Sequence, residues 1–248
     1  MCSKKASFKP DNEGTFIMIK KQLIALLLAL LLLPAAAMGE NFYAGDITEA
    51  RKKALNVFKA VAFSSEDHNN GRDYLVRWNT PIRIYATGDA TARDLKTLDD
   101  FIMNLGLRVP CMPPVYRVGS RQNADIVIAF CPLSDMKKWV TAYTEGNWGY
   151  FYFSWNNSYI YKAEIAIASD VTDQQSRNHL IQEELFGAMG LANDHWEYSD
   201  SIVYQGWTTV QQPSEMDWLM MNYLYSPLVK AGQKWPEVQR AIRDFYGL

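Results

Sequence analysis

The stretch that most constrains this chain covers residues 177–195. Leu180, Ile181, Leu185, Ala188 and Met189 recur there at intervals of three and four, the period of an α-helix with one apolar face. Gly190 stands where a left-handed C-terminal cap would close the helix, so the spacing predicts about three turns. Glu184 falls inside the apolar stripe, one turn from both Leu180 and Ala188, while His179, Glu183 and Gly187 form a line beside it. A carboxylate aimed at a core needs a reason, because charged side chains are almost never fully buried without a partner. Arg177 is a candidate partner for Glu184; without one, burial raises the carboxyl's pKa. Gly187 in mid-helix costs about 1 kcal/mol relative to alanine, so the position is expected to require the absence of a side chain and to leave a hollow beside the two carboxylates.

Before this helix the chain alternates strand and helix signals. Residues 46–62 carry Ile47, Ala50, Ala54, Leu55, Phe58 and Val61 at helical spacing, with Asp46 as a possible N-cap. Residues 64–72 form a polar loop in which His68 reads as solvated rather than ligating. Residues 74–78 and 82–85 are strand-like and flank an Asn-Thr-Pro break, and residues 92–105 return to helical period. Residues 115–118 and 126–130 are short β-branched runs, the second nearly all apolar, as in a central strand buried on both faces. Residues 148–155 and 159–169 then read as a hairpin around Asn156, Asn157 and Ser158, with aromatics at Trp148, Tyr150, Phe151, Tyr152, Phe153 and Trp155. Helical signals at residues 218–225 and 235–246 close the chain.

The first 39 residues have a different character. After Met18, which is the expected start, come Lys20 and Lys21, an apolar run over residues 23–33, Pro34, and small residues to Gly39. A positive segment, a short apolar core and a small-residue exit are the pattern of a secretory signal peptide, with cleavage expected near Gly39. The run is short of the about 20 residues that span a bilayer, so an uncleaved membrane anchor is the alternative. Residues 40–248 are then expected to form one domain of an exported, periplasmic or secreted protein. The whole chain has 25 Lys and Arg against 27 Asp and Glu; residues 1–39 hold five and two of these, leaving 20 against 25. With no basic cluster, nucleic acid is excluded as an expected partner. Cys111 and Cys131 are expected to pair in an oxidising compartment, the alternative being two buried free thiols.

The 177–195 stretch also resembles a known motif. In metzincins, a branch of the zincin metallopeptidases, three histidines hold zinc, a glutamate is the general base, and a glycine turns the chain towards the third ligand. Laid on that pattern, Glu183 takes the first ligand position, Glu184 the base, Gly187 the second ligand, Gly190 the turning glycine, Asn193 the third ligand and Asp194 the trailing aspartate. The base, the glycine and the aspartate match, and all three histidines are gone. Asp200-Ser201-Ile202-Val203-Tyr204 resembles the metzincin Met-turn with Val203 in place of methionine. Ser214 to Asp217 opens a capping-box-like helix that runs on to Leu224 and Tyr225, similar to the closing helix of matrixin-like domains. Over residues 75–232 the chain also resembles a family of exported bacterial proteins of unknown function grouped with the zincin superfamily.

The resemblance implies an α+β zincin-like fold: a mixed twisted sheet with an antiparallel edge strand and a central motif helix, carrying packing helices at both ends. It also implies that residues 148–155 form the edge that binds extended substrate by strand addition, with Trp148, Tyr150 and Tyr152 lining side-chain pockets. The alternative is a two-sided aromatic strand covered by the 46–62 helix. With glycine and asparagine at two ligand positions, neither metal nor other cofactor is expected. Zinc would need a rearranged set of His179, Glu183, Asp194 and His195. The leading expectation is therefore a catalytically impaired peptidase homologue that binds a peptide, protein or cell-envelope component through Glu183, Glu184, Gly187, Asn193 and Asp194. An active metallohydrolase with Glu184 as base, and a purely structural interaction protein, are the other two readings.

Overall fold

In the computed structural model, residues 47–63 and 72–248 are described. The expected signal peptide, Asp46 and His68 lie outside them. Five strands make one mixed sheet in the order β2-β1-β3-β5-β4. Strands β1 (Ile82–Gly88), β2 (Val115–Arg117), β3 (Ile126–Cys131) and β5 (Tyr159–Ala168) are parallel, and β4 (Gly149–Asn156) runs antiparallel to β5 at the edge. All six residues of β3 are buried, as its apolar run requires of a strand with cover on both faces. The hairpin turns at Asn157 and Ser158, both at positive φ (48° and 65°), the two-residue type whose twist matches that of the strands it joins. Asn156 therefore belongs to β4 and pairs with Tyr159.

The helices are α1 (Ile47–Phe63), α2 (Ala92–Arg108), the single turn α3 (Met136–Trp139), α4 (Gln174–Ala188), α5 (Glu215–Tyr225) and α6 (Trp235–Tyr246). Helix α4 begins three residues before the predicted start, where the Asp173 carboxylate accepts the Ser176 N–H at 2.7 Å. Its far end is fixed from a distance: Trp78 Nε1 donates to Ala188 O at 3.0 Å, and Tyr225 Oη to Met189 O at 2.8 Å. Gly190 follows at φ +119°, and a Cβ there would lie 2.8 Å from Val76 O, so both its backbone angle and its surroundings demand glycine. Helix α4 crosses β4 and β5 beside α2. Helix α1 packs on α5, Phe58 meeting Tyr223 edge-on at 5.9 Å, so the aromatic strand is not what it covers.

Three expectations need correction. Residues 74–78 make only isolated bridges, Tyr74 to Lys234 and Arg77 to Tyr159, because Arg77 is drawn to the end of α5, where it donates to Leu224 O and Ser226 O. Arg177 does not meet Glu184; it pairs at 3.1 Å with Asp94, whose carboxyl is held below the usual range, against burial, by the Thr91 N–H and hydroxyl first and then by Gln174 and Arg177. Cys111 and Cys131 are free thiols. The first precedes β2 and the second ends β3, so the length of the parallel strands separates them. The strands β1 and β3 alone share five register pairs, at roughly 3.3 Å per residue, whereas a disulfide needs Cα atoms within about 7 Å. Burial and the nearby Asp135, Asp89 and Asp170 push the Cys131 thiol up to about 11.

Candidate functional site

A cleft of about 640 Å³ opens between α4, the free edge of β4 and a loop over residues 203–208. Its depth depends on two glycines. A Cβ on Gly149 would fall 2.3 Å from Glu184 Oε1, and a Cβ on Gly187 would fall 2.4 Å from the Phe151 ring. Strand and helix therefore interlock reciprocally: the strand's glycine admits the helix's carboxylate, and the helix's glycine admits the strand's aromatic ring. The hollow expected beside Gly187 is thus filled by Phe151.

Along β4, Gly149 and Phe151 face α4, while Tyr150 packs on the other face against Met136, Val140 and Ala166. Tyr150 is nearly buried, its ring 5.6 Å from that of Tyr143, and Tyr152 lies partly buried beside the same cluster. Both tyrosines nonetheless border the cleft. Ala168 donates its N–H to Trp148 O at 2.7 Å. Hydrogen-bonded pairs alternate along an antiparallel ladder, so the N–H and C=O of Gly149 and Phe151 point away from β5, towards the open edge.

All the cleft residues expected from sequence come together: Glu183, Glu184, Gly187, Asn193, Asp194, Trp148, Tyr150 and Tyr152 line this one space, with His179. Their environments differ sharply. Glu184 is 7% exposed and its side chain makes no hydrogen bond among the described residues, its oxygens lying against Gly149 and the cleft. Burial first, then Glu183 and Asp194, hold its carboxyl well above the usual range. One turn away, His179 donates Nδ1–H to Val210 O at 2.8 Å and sets Nε2 3.3 Å from Glu183 Oε2. Desolvation opposes its charge, but Glu183, the Val210 carbonyl and Asp194 outweigh that and raise its pKa. At the mouth, Trp148 and Trp207 meet edge-on at 5.3 Å, and Trp207 also lies edge-on to His179 at 6.0 Å.

The residues at the implied ligand positions do not fit zinc. Gly187 has no donor and is covered by Phe151. The Asn193 amide nitrogen points to Ala60 O and Val61 O of α1, at 3.3 and 3.2 Å. The rearranged set fails at His195, which is turned out of the cleft: its Nδ1 accepts the Glu197 N–H at 3.2 Å, and its ring lies among Tyr198 and Tyr204. Among the described residues no group of three or more His, Cys, Asp or Glu is arranged to hold a metal ion.

The loop opposite β4 is pinned from behind. Asp217, wholly buried in α5, accepts from Ser201 Oγ, Ile202 N–H, Ser214 N–H and Ser214 Oγ, at 2.5, 2.9, 2.7 and 2.9 Å. Backbone bonds from His195 N–H to Val203 O and from Gln205 N–H to His195 O complete the lip. Sequence reading missed Gly149, Phe151 and Trp207. The period-two alternation of β4 put Gly149 and Phe151 on one face and could have flagged them; Trp207, in an irregular loop, carries no such signal.

Fold and site together define an α+β protein with a carboxylate-lined cleft running beside an unpaired sheet edge. The model of the family described as protein of unknown function (DUF2927) matches residues 51–244, and the chain belongs to that family. No protein of curated function matches it.

Proposed function

We propose that this is an exported, zincin-like domain of metzincin type that has lost zinc catalysis and uses the retained cleft to bind an extended peptide segment of a protein or cell-envelope component. The single observation that carries the reading is the free edge of β4, whose outward backbone groups at Gly149 and Phe151 border the cleft directly over Glu184 and Gly187. An extended main chain could pair there, and the cleft would receive alternate side chains. The order of elements supports the zincin-like part: a mixed sheet with an antiparallel edge, then the helix bearing Glu184, a glycine turn, a loop ending at Val203 and a closing helix. The loss of catalysis rests on Gly187 and Asn193, one lacking a donor and the other committed to α1.

The test is incubation of the purified protein with a diverse peptide library, with and without a chelator, followed by mass spectrometry. Retention of a subset of peptides without cleavage is the expected result. Cleavage that a chelator abolishes would overturn the reading in favour of an active metallohydrolase, for which loss of turnover in Glu184→Gln would then be the check.

A further inference from the structure

The chemistry of the cleft points to the kind of side chain it takes, an inference that rests on the peptide-binding reading above. Among the described residues, those lining it include Glu183, Glu184 and Asp194 but no Lys or Arg, and the one ring there able to carry positive charge, His179, lies against Glu183. Glu184 is more than nine-tenths buried, faces the cleft and has no hydrogen-bond partner among the described residues. A buried carboxyl without a partner is costly, and what would relieve it is a donor or a positive charge brought from outside. Trp148 and Trp207, 39% and 58% exposed, flank the mouth and offer indole faces of the kind that attract cations.

Register sharpens the point. In a sheet, residues level with each other on neighbouring strands direct their side chains to the same face. A residue added opposite Gly149 would therefore point towards α4, beside the Glu184 carboxylate and the Leu180 side chain that lie over Gly149. Gly149 itself puts no side chain between such a residue and Glu184.

We propose that the cleft selects a cationic nitrogen, ammonium or guanidinium, carried by the ligand residue level with Gly149 and received by Glu184 with Glu183 beside it. The basic side chain of a bound peptide is the source that strand addition favours; a free amino terminus is the other source of the same chemistry.

The experiment uses acetylated, amidated, extended octapeptides on a Thr- and Val-rich host with one central guest: Lys, Gln or Glu. Binding is read by anisotropy of a labelled peptide. Lys is expected to bind roughly tenfold more tightly than Gln, and Glu more weakly than Gln. The Lys-to-Gln ratio should collapse towards one in Glu184→Gln, a variant whose folding is checked by its circular dichroism and thermal midpoint. A shortened Gln peptide with a free amino terminus that matches the Lys peptide would assign the cation to the terminus.

Peptides that bind with equal affinity for Lys and Gln would overturn the cation site while leaving the peptide reading intact. If no peptide binds, n-butylammonium chloride is titrated against the tryptophan fluorescence of wild type and Glu184→Gln. A saturable change confined to wild type would keep the cation site and remove the peptide, and no change in either would overturn both.

Discussion

Two buried carboxylates on neighbouring helices have opposite relations to their surroundings. Asp217 of α5 is fully buried, and its oxygens are taken up by the hydroxyls and N–H groups of Ser201, Ile202 and Ser214. Glu184 of α4 is nearly as buried, borders open space, and receives no hydrogen bond among the described residues. Burial raises the pKa of both; at Asp217 four hydrogen bonds pull the other way, whereas at Glu184 the neighbours are further acids and push the same way. The first is a structural joint that ties the 201–203 loop to α5. The second is stable only because the rest of the fold tolerates its cost, and such groups cluster where proteins bind or react.

The strongest way to break this comparison is Asp217→Ala. It strands the buried Ser201 hydroxyl and Ile202 N–H, along with the half-buried hydroxyl and N–H of Ser214, and unfolding in urea should show a loss of at least about 3 kcal/mol. A loss much below that would mean the joint can rearrange around water and is no different in kind from the cleft.

Gly187→Val comes next. Its side chain would enter the Phe151 ring, and about 1–3 kcal/mol of stability should be lost through overpacking in the same assay. Unchanged stability would show that Phe151 is not seated on the helix.

Gly149→Ala tests the reciprocal contact. Its Cβ meets Glu184 Oε1, so it should cost about 1 kcal/mol in wild type but clearly less in a Glu184→Ala background. A double-mutant cycle measures the coupling, and strict additivity would separate the two residues.

Burial leaves both carboxyls raised, so the pH dependence of Glu184→Gln against wild type is what isolates Glu184. The Glu184 pKa is raised in the folded state, so the unfolded chain releases its proton first, near the ordinary value of about 4.3. Stability is then greatest below that value and declines as pH rises towards the folded pKa. Glu184→Gln has no proton to release. It should match wild type near pH 4 and exceed it near pH 8 in thermal midpoint. A variant less stable than wild type at pH 8 would mean that the ionised carboxylate has a partner in the fold.

The smallest effect expected is none. With Cys111 and Cys131 free, a thiol reductant should leave the urea midpoint unmoved, where a lost disulfide would cost about 2–4 kcal/mol. Alkylation of both cysteines in the denatured, unreduced protein checks the same point by mass.

Much of the fold was legible in local pattern. The apolar run at residues 126–130 marked the central strand, the helical spacing around Leu180 and Leu185 marked α4, and Ser214 with Asp217 marked the start of α5 by a capping box that the structure contains. Each of these signals is set by residues within one or two turns, so sequence order carries it. The part of the cleft formed by α4 and the turn after it was also readable, because Glu183, Glu184 and Gly187 share one helix and Asn193 and Asp194 follow its glycine cap.

Sequence alone thus determined most of the elements, residues 74–78 excepted, the edge hairpin and a carboxylate that had to face something unusual. What it faces was decided only in three dimensions. That Gly149, 35 positions before Glu184, makes room for its oxygens, that Phe151 fills the gap over Gly187, that Arg177 goes to Asp94 instead, and that Asp217 reaches back to Ser201 all depend on which strand lies under which helix. The same holds for Cys111 and Cys131, kept apart by the run of the parallel strands. Spacing along the chain measures contact only within an element. Between elements, contact is set by register and packing, which no local pattern encodes.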